Sequence, residues 1–161
     1  MQRNKIITVK DLNDLSGQFI QEKGRKVLVG GCFDILHFGH IKFLREAKKF
    51  GDILIVALES DRNVQMLKGD NRPFQSVQER GEILSELISV DYIISLPPMI
   101  SDNEYYLLVQ KVSPQVIAIT EGDKIIEKKR EHARKVGAKL EIIPQLKTAS
   151  TSQLAKTIGL E

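Results

Sequence analysis

Two short runs of apolar residues, at positions 26–31 and 52–58, constrain the fold of this chain more than any other feature of the sequence. Each run is almost continuously apolar, which is typical of a strand covered on both faces of a sheet. Apolar residues at helical spacing lie between them, from 41 to 47, and Gly51 follows as a helix stop. Strand, helix and strand in about 35 residues predict a βαβ unit with a right-handed crossover.

The same alternation of strand and helix patterns continues along the chain. Capping-box spacings at Ser76 and Ser101 predict two helix starts, and residues 124–136 and a stretch from Ser150 predict two more helices. Further strands are predicted at residues 91–96, 116–119 and 139–143. The sequence therefore predicts an α/β, Rossmann-like, doubly wound fold with a mostly parallel five-stranded sheet and helices on both faces.

Length and the N-terminal pattern predict the domain organisation. A chain of 161 residues is the size of one ordinary domain, so we expect residues 1–161 to form a single domain. Residues 9–21 carry apolar side chains at three- and four-residue spacings, which predict an amphipathic helix packed on the core. Residues 1–24 are therefore interpreted as a helical N-terminal extension.

Composition excludes several classes of protein. Hydrophobic residues make up 42% and charged residues 28%, a balance too apolar for disorder. One cysteine and three histidines argue against a disulfide framework and against a multi-cysteine or histidine-rich metal site. The formal charge of +3 is too small to indicate a nucleic-acid partner, although it suits an anionic small molecule.

The sequence gives no sign of a membrane segment or a secretory leader. No apolar run approaches the roughly 18 residues that span a bilayer. The first residues also lack the apolar stretch of a secretory signal. We therefore expect a cytoplasmic protein with no membrane partner.

The loop after the first predicted strand is the place to look for chemistry. In an open parallel sheet, ligands bind at the carboxyl ends of strands where the strand order reverses. This loop, residues 30–40, carries two neighbouring glycines, the carboxylate of Asp34 and the imidazoles of His37 and His40. Its glycines lack the dinucleotide-binding spacing and no P-loop motif follows. A standard dinucleotide-binding site and a P-loop nucleotide site are therefore both excluded.

His37 and His40 are spaced to act together on a phosphate. Two histidines three residues apart at a helix start can point to one side, and Gly39 lets a large anion approach the backbone. Imidazole hydrogen bonds to a phosphoryl group would stabilise the charge that develops during its transfer. The pair alone leaves open a metal site, or a histidine that only caps or packs.

Residues 31–40 resemble the GxFDxxHxGH signature of the cytidylyltransferase-like nucleotidyltransferases. The similarity extends over about residues 25–158, interpreted as the family core, and continues through residues 67–73, 79–80, 90–91 and 150–152. Residues 67–73 and 78–80 look most like the adenylyltransferase domain that makes ADP-heptose from heptose 1-phosphate. Glycerol-3-phosphate cytidylyltransferase and the archaeal FMN adenylyltransferase are also similar.

The resemblance implies a reaction and its partners. In this family the phosphate of an acceptor attacks the α-phosphate of a nucleoside triphosphate and releases pyrophosphate. Mg²⁺ is held mainly by the triphosphate, so no metal-ligating side chain is expected. The favoured activity is AMP transfer from ATP to a sugar (heptose) 1-phosphate by a homodimer. The alternatives are CTP with glycerol 3-phosphate or a related polyol phosphate, ATP with FMN, and a non-catalytic nucleotide-binding regulator.

The resemblance also implies roles for individual residues. His37, His40 and Lys68 correspond to the catalytic groups, and Asp34, Lys68 and Arg72 to acceptor-binding groups. The nucleotide-binding positions are Gly31, Cys32, Phe33, Gly39, His40, Glu121, Gly122, Asp123, Ser150, Thr151 and Ser152.

Structural roles compete with several of these assignments. Asp34 also suits a turn or a helix cap, and residues 150–152 suit an ordinary N-cap. Lys68 and Arg72 also suit a solvated basic loop, and Arg80 suits either a surface pair or a structural or phosphate-facing group.

Two positions depart from the patterns of the similar families. Glu121 replaces the first glycine of the Lys-Gly-Gly-Asp run of heptose enzymes, which argues against heptose as the acceptor. Residues 145–149 lack the arginine and the Glu-Gly pair of cytidylyltransferases, which argues against CTP. Lys147 is the candidate for the missing positive charge.

Overall fold

The computed structural model describes residues 4–14 and 23–160, and their strands form one parallel sheet. The order across this six-stranded sheet is β1-β4-β3-β2-β5-β6. The strands are β1 (Ile6–Thr8), β2 (Lys26–Gly31), β3 (Ile53–Leu58), β4 (Tyr92–Ser95), β5 (Val116–Thr120) and β6 (Lys139–Ile143). The Rossmann-like, doubly wound α/β fold is thus confirmed.

The helices follow the predicted alternation. They are α1 (Val9–Asp14), α2 (Phe38–Lys48), α3 (Asp61–Lys68), α4 (Val77–Ser85), α5 (Asp102–Val112), α6 (Ile126–Val136) and α7 (Thr151–Thr157). The capping boxes predicted at Ser76 and Ser101 are both present, and Ser150 opens a third with Gln153. Among the described residues, no helix is both long and apolar enough to cross a bilayer.

The expected number of five strands is wrong, because a strand precedes the first predicted one. β1 lies at the edge of the sheet and pairs with β4 in the register Ile6 to Ile93. It has only three residues, too few to show a strand period in the sequence. The N-terminal extension is therefore not purely helical. The predicted helix over 9–21 begins as α1, and its remainder from residue 15 lies outside the described residues.

Segment 59–75 also differs from the loop that the sequence suggested. It contains α3, which begins after the N-cap Ser60, whose side chain accepts from the Asn63 amide. Only Asn63 and Val64 of this helix are buried, so its apolar pattern is too short to recognise. Lys68 is accordingly the last helical residue rather than part of a loop.

Apolar side chains pack on both faces of the sheet. Along β3, residues alternate between the layers: Ile55 belongs to the cluster beneath α1, α5 and α6, and Val56 to the cluster beneath α2 and α4. The strand order reverses between β2 and β5, which are neighbours although the chain visits β3 and β4 between them. The carboxyl ends of β2 and β5 therefore flank the crevice where ligands bind in such sheets.

Candidate active site

His37 is the N-cap of α2 at the end of the loop that leaves β2. Its backbone is extended, and its Nδ1 accepts a hydrogen bond from the Gly39 amide over 3.1 Å. Because Nδ1 is an acceptor, the neutral ring carries its proton on Nε2. Burial lowers the pKa of His37. The ring is therefore a neutral donor at physiological pH.

His40 stacks on His37 one helical turn later. The centroids of the two imidazole rings are 3.8 Å apart at an interplanar angle of 29°. The His40 ring also contacts the Phe33 ring, at a centroid distance of 5.3 Å. Burial first, and the neighbouring His37 second, lower the pKa of His40 to about 4. Its Nδ1 is buried without a hydrogen-bond partner, so we assign the proton to Nε2. The pair thus offers two uncharged N–H donors.

Gly31 and Gly39 are required by contacts within the protein. A Cβ on Gly39 would lie 2.9 Å from His37 Cε1 and 3.0 Å from Thr148 Cγ2. A Cβ on Gly31 would lie 2.8 Å from the Phe33 ring. The two glycines therefore let the imidazole pair and the aromatic ring pack closely against the backbone.

Asp34 and Arg72 form a buried ion pair beside the histidines. Arg72 Nε donates to Asp34 Oδ2 over 2.8 Å, and the side chains are only 3% and 1% exposed respectively. The backbone amides of Phe74 and Gln75 also donate to this carboxylate. Asp34 therefore holds the loop after β2 against the segment that follows α3, while its predicted contact with the acceptor stays a prediction.

Residues 150–152 have three different structural roles at the start of α7. Ser150 is the N-cap and its amide donates to Gln153 Oε1 over 2.7 Å. Thr151 is buried and its hydroxyl donates to the backbone oxygen of Asp34 over 2.7 Å. Ser152 is exposed, and its Oγ accepts from Arg72 Nη1 over 3.4 Å. The structure thus places this helix start directly beside the loop that carries the histidines.

Two lysines provide exposed positive charge around this centre. Lys68 is exposed at the end of α3, and its charge opposes protonation of His40. Lys147 lies in an open groove beside α7. Arg72, in contrast, is buried in its pair with Asp34, so the solvated basic loop is wrong for this residue. Its contact with the acceptor stays a prediction.

Residues 121–123 follow β5 on the other side of the crevice. Glu121 is exposed and its carboxylate accepts from the Gln145 amide over 3.3 Å. Gly122 has a φ of 79°, which favours glycine. Asp123 is paired with Lys129 over 2.7 Å. This segment therefore brings one exposed carboxylate, Glu121, and one carboxylate paired with a lysine, Asp123, to the carboxyl end of β5.

Arg80 is a structural residue that links the carboxyl ends of two neighbouring strands, β2 and β3. Its side chain is fully buried and donates to the backbone oxygens of Cys32, Glu59 and Gln75, and to the Asp61 carboxylate. Of its predicted roles the surface pair is wrong, because the guanidinium joins the ends of β2 and β3.

Sequence reasoning missed one polar cluster at this edge. Glu59, the first residue after β3, accepts hydrogen bonds from the Tyr105 hydroxyl and from Asn63. Its position directly after a fully buried strand was the signal that could have identified it.

Within 4–14 and 23–160, no three His, Cys, Asp or Glu side chains are grouped so as to hold a metal ion.

Comparison with known proteins extends over most of the chain. Two curated relatives are both named bifunctional protein HldE. The one from Geobacter sulfurreducens is 33% identical over 155 residues, which cover 93% of this chain and 31% of that protein. The one from Wolinella succinogenes is 34% identical over 157 residues, which cover 97% of this chain and 31% of that protein. The chain thus spans about a third of the length of these relatives.

Solved structures share the fold of this chain, and a protein-family model matches most of its length. The lipopolysaccharide core biosynthesis protein of Thermoplasma volcanium aligns with a TM-score of 0.63 at 29% identity, covering 79% of this chain and all of that one. Pantoate-beta-alanine ligase from Francisella tularensis aligns at 16% identity, with a TM-score of 0.63 over 89% of this chain and 68% of that one, and shows the fold alone. Residues 28–155 match the cytidylyltransferase-like family. The chain therefore belongs to the cytidylyltransferase-like family of nucleotidyltransferases.

Proposed function

We propose that this chain transfers AMP from ATP to the phosphate of a phosphorylated small molecule, a heptose 1-phosphate or a related sugar phosphate, and releases pyrophosphate. The stacked pair of neutral imidazoles at the start of α2 is the observation that carries the proposal. The pair lies at the point where the strand order reverses. The HldE relatives and the resemblance of residues 67–73 and 78–80 support ATP and a heptose phosphate.

The reaction needs little covalent chemistry from the protein. An oxygen of the acceptor phosphate forms a bond to the α-phosphorus, and the bond from that phosphorus to the bridging oxygen breaks. The electron pair leaves with pyrophosphate. The acceptor phosphate is already anionic near neutral pH, so no general base has to remove a proton. Positioning and charge stabilisation therefore account for catalysis.

His37 and His40 stabilise the charge that develops on the α-phosphate oxygens. Each ring donates from Nε2, and neither ring must lose or gain a proton during the reaction. A donor of this kind contributes on the order of a hundredfold to a thousandfold in turnover. Their low pKa values keep both rings in the donor state throughout the physiological range.

The remaining phosphates lie towards α7 in this proposal. Ser150 and Ser152, together with free backbone amides of the first turn, receive the β- and γ-phosphates, and Lys147 adds positive charge. Lys68 stands on the acceptor side, near His40. Mg²⁺ held by the triphosphate would neutralise part of its charge.

A pyrophosphate-release assay tests the proposal directly. ATP, CTP and GTP are each combined with heptose 1-phosphate, glycerol 3-phosphate and FMN. We expect ATP with heptose 1-phosphate to give the highest kcat/KM. A preference for CTP would replace the adenylyl assignment with a cytidylyl one. ATP binding without pyrophosphate release from any acceptor would identify a nucleotide-binding regulator instead.

We further propose that the protein acts in the cytoplasm as a homodimer, as the sequence and the family resemblance imply. Sedimentation equilibrium at micromolar concentration tests the second statement. A monomer mass across that range contradicts it.

A further inference from the structure

Glu59 holds a carboxylate at the active-site edge of the sheet that the proposed mechanism does not use. Tyr105 donates its hydroxyl proton to this carboxylate, at 3.0 Å from Oε1 and 2.9 Å from Oε2. Asn63 Nδ2 donates to Oε2 over 3.1 Å and also lies 2.9 Å from the Tyr105 oxygen. The hydrogen bonds from these two neutral side chains hold the Glu59 carboxylate in one orientation.

The cations near this carboxylate act on it from a distance. Among the described residues, no Lys, Arg or His side chain is in ion-pair contact with Glu59. The two nearest candidates are occupied elsewhere, since Lys129 pairs with Asp123 and Arg80 binds backbone oxygens and Asp61. Burial raises the pKa of Glu59 and outweighs the hydrogen bonds from Tyr105 and Asn63 and the charges of Lys129 and Arg80, which lower it. A half-buried carboxylate without a direct ion pair lowers the stability of the folded protein. Such groups are typical of binding and catalytic sites.

Glu59 also retains capacity to accept hydrogen bonds. A carboxylate offers about four lone-pair positions. Tyr105, which contacts both oxygens, and Asn63 fill at most three of them, and the side chain is only partly buried. The open positions suit hydroxyl donors, because a carboxylate cannot hydrogen-bond to a phosphate oxygen that carries no proton.

The position of Glu59 connects it with the catalytic loop. Its amide donates to the Gly31 oxygen over 3.1 Å, so it stands next to the point where that loop begins. The Cys32 thiol, directly after Gly31, senses both Glu59 and Lys68: burial raises its pKa, Glu59 raises it further and Lys68 opposes them. The carboxylate of Glu59 and the charge of Lys68 therefore both act on the start of the catalytic loop.

We propose that Glu59, oriented by Tyr105 and Asn63, accepts hydrogen bonds from hydroxyl groups of the acceptor, while Lys68 lies on the side of the acceptor phosphate. The site thereby selects a polyhydroxylated phosphate, of the sugar or polyol class. This inference rests on the proposed function, because it assigns the part of the same acceptor that carries no phosphate.

The test separates contacts to the hydroxyl groups from contacts to phosphate. Glu59→Gln keeps the size of the side chain and one acceptor oxygen but removes the charge, and Tyr105→Phe removes the bond that orients it. Glu82→Gln, an exposed position on α4, is the matched control. KM for heptose 1-phosphate, KM for ATP and the inhibition constant of inorganic pyrophosphate are measured for all three variants and the unaltered protein.

For Glu59→Gln we expect KM for heptose 1-phosphate to rise about tenfold, as befits the loss of a charge-assisted hydrogen bond. Tyr105→Phe should raise it by a smaller factor. KM for ATP and the pyrophosphate constant should stay within about twofold, and the control should match the unaltered protein.

Each other outcome has a distinct meaning. An unchanged acceptor KM in Glu59→Gln, with the unaltered protein active, overturns this inference and leaves the proposed function standing. Equal rises in the constants for acceptor, ATP and pyrophosphate show a structural role and also overturn it. If the unaltered protein releases no pyrophosphate with any phosphorylated acceptor, the proposed function fails and this inference fails with it.

Discussion

Arg72 and Asp34 are joined by a 2.8 Å hydrogen bond between Nε and Oδ2, with both side chains almost fully withdrawn from water. The pair connects three segments that are far apart in the sequence. Asp34 belongs to the histidine loop, Arg72 follows α3, and Arg72 Nη1 reaches Ser152 at the start of α7. Arg72, which the resemblance placed among the acceptor-binding groups, therefore also supports the geometry of the site.

Asp34→Asn should destabilise the protein by about 3 kcal/mol, because it leaves the buried Arg72 cation without its counter-charge. Urea unfolding monitored by circular dichroism measures the change. The double variant Asp34→Asn/Arg72→Met should lose less stability than the sum of the single variants, since it removes both charges. Strictly additive losses would show that the two side chains do not act as a pair.

His40→Ala should lower turnover by at least about a hundredfold while the fold remains intact. The ring donates to the developing charge in the proposed mechanism, and its removal takes away one such donor. Turnover is measured by pyrophosphate release and the fold by circular dichroism. Lys42→Ala, an exposed change on the same helix, is the control and should keep normal turnover. Near-normal turnover in His40→Ala would contradict the assigned role.

The three hydroxyl residues at the start of α7 should respond differently to substitution. Ser150→Ala should cost about 1 kcal/mol because it removes the N-cap. Thr151→Val should cost about 1–3 kcal/mol because it leaves the Asp34 oxygen without its buried donor. Ser152→Ala should change stability by less than about 0.5 kcal/mol and raise KM for ATP several-fold.

Thermal unfolding and steady-state kinetics measure these differences. Equal stability losses in all three variants would show that the start of α7 acts only as a structural cap. An unchanged KM for ATP in Ser152→Ala would remove Ser152 from the proposed phosphate site.

Stability should fall as the pH drops from about 6.5 towards 4. His40 has a pKa of about 4 in the folded protein and near 6.5 when unfolded, so in this window the unfolded chain binds the extra proton. The lowered pKa of His37 acts in the same direction. We expect a loss of roughly 2 kcal/mol from His40, measured by urea unfolding at pH 7.5 and pH 4.5.

His40→Ala is the control for this pH dependence and should lose less stability over the same interval. Glu59, whose pKa burial raises, favours the folded state as the pH falls, but it does so equally in both proteins and cancels in the comparison. Parallel curves for the two proteins would show that His40 is solvated rather than buried.

Local patterns predicted five of the six strands, including β6 at one edge of the sheet, and missed β1 at the other edge. β2 and β3 are covered on both faces, so their burial is visible as continuous apolar runs. β1 has three residues and gains its stability from pairing with β4, so nothing in its own sequence distinguishes it. α3 was missed for a related reason, since it buries only two of its residues.

The sequence by itself determined the features that depend on neighbours in the chain: the alternation of strands and helices, the capping boxes, and the spacing of His37 and His40 across one helical turn. These follow from backbone geometry and from hydrogen bonds within a few residues. Only the tertiary structure decided which polar groups face one another. Thr151 meets Asp34 across 117 residues of sequence and Tyr105 meets Glu59 across 46, and both contacts exist only because the sheet brings the ends of its strands to one edge. The free energy of a buried polar group depends on the partner that folding places beside it, and no local pattern encodes that partner.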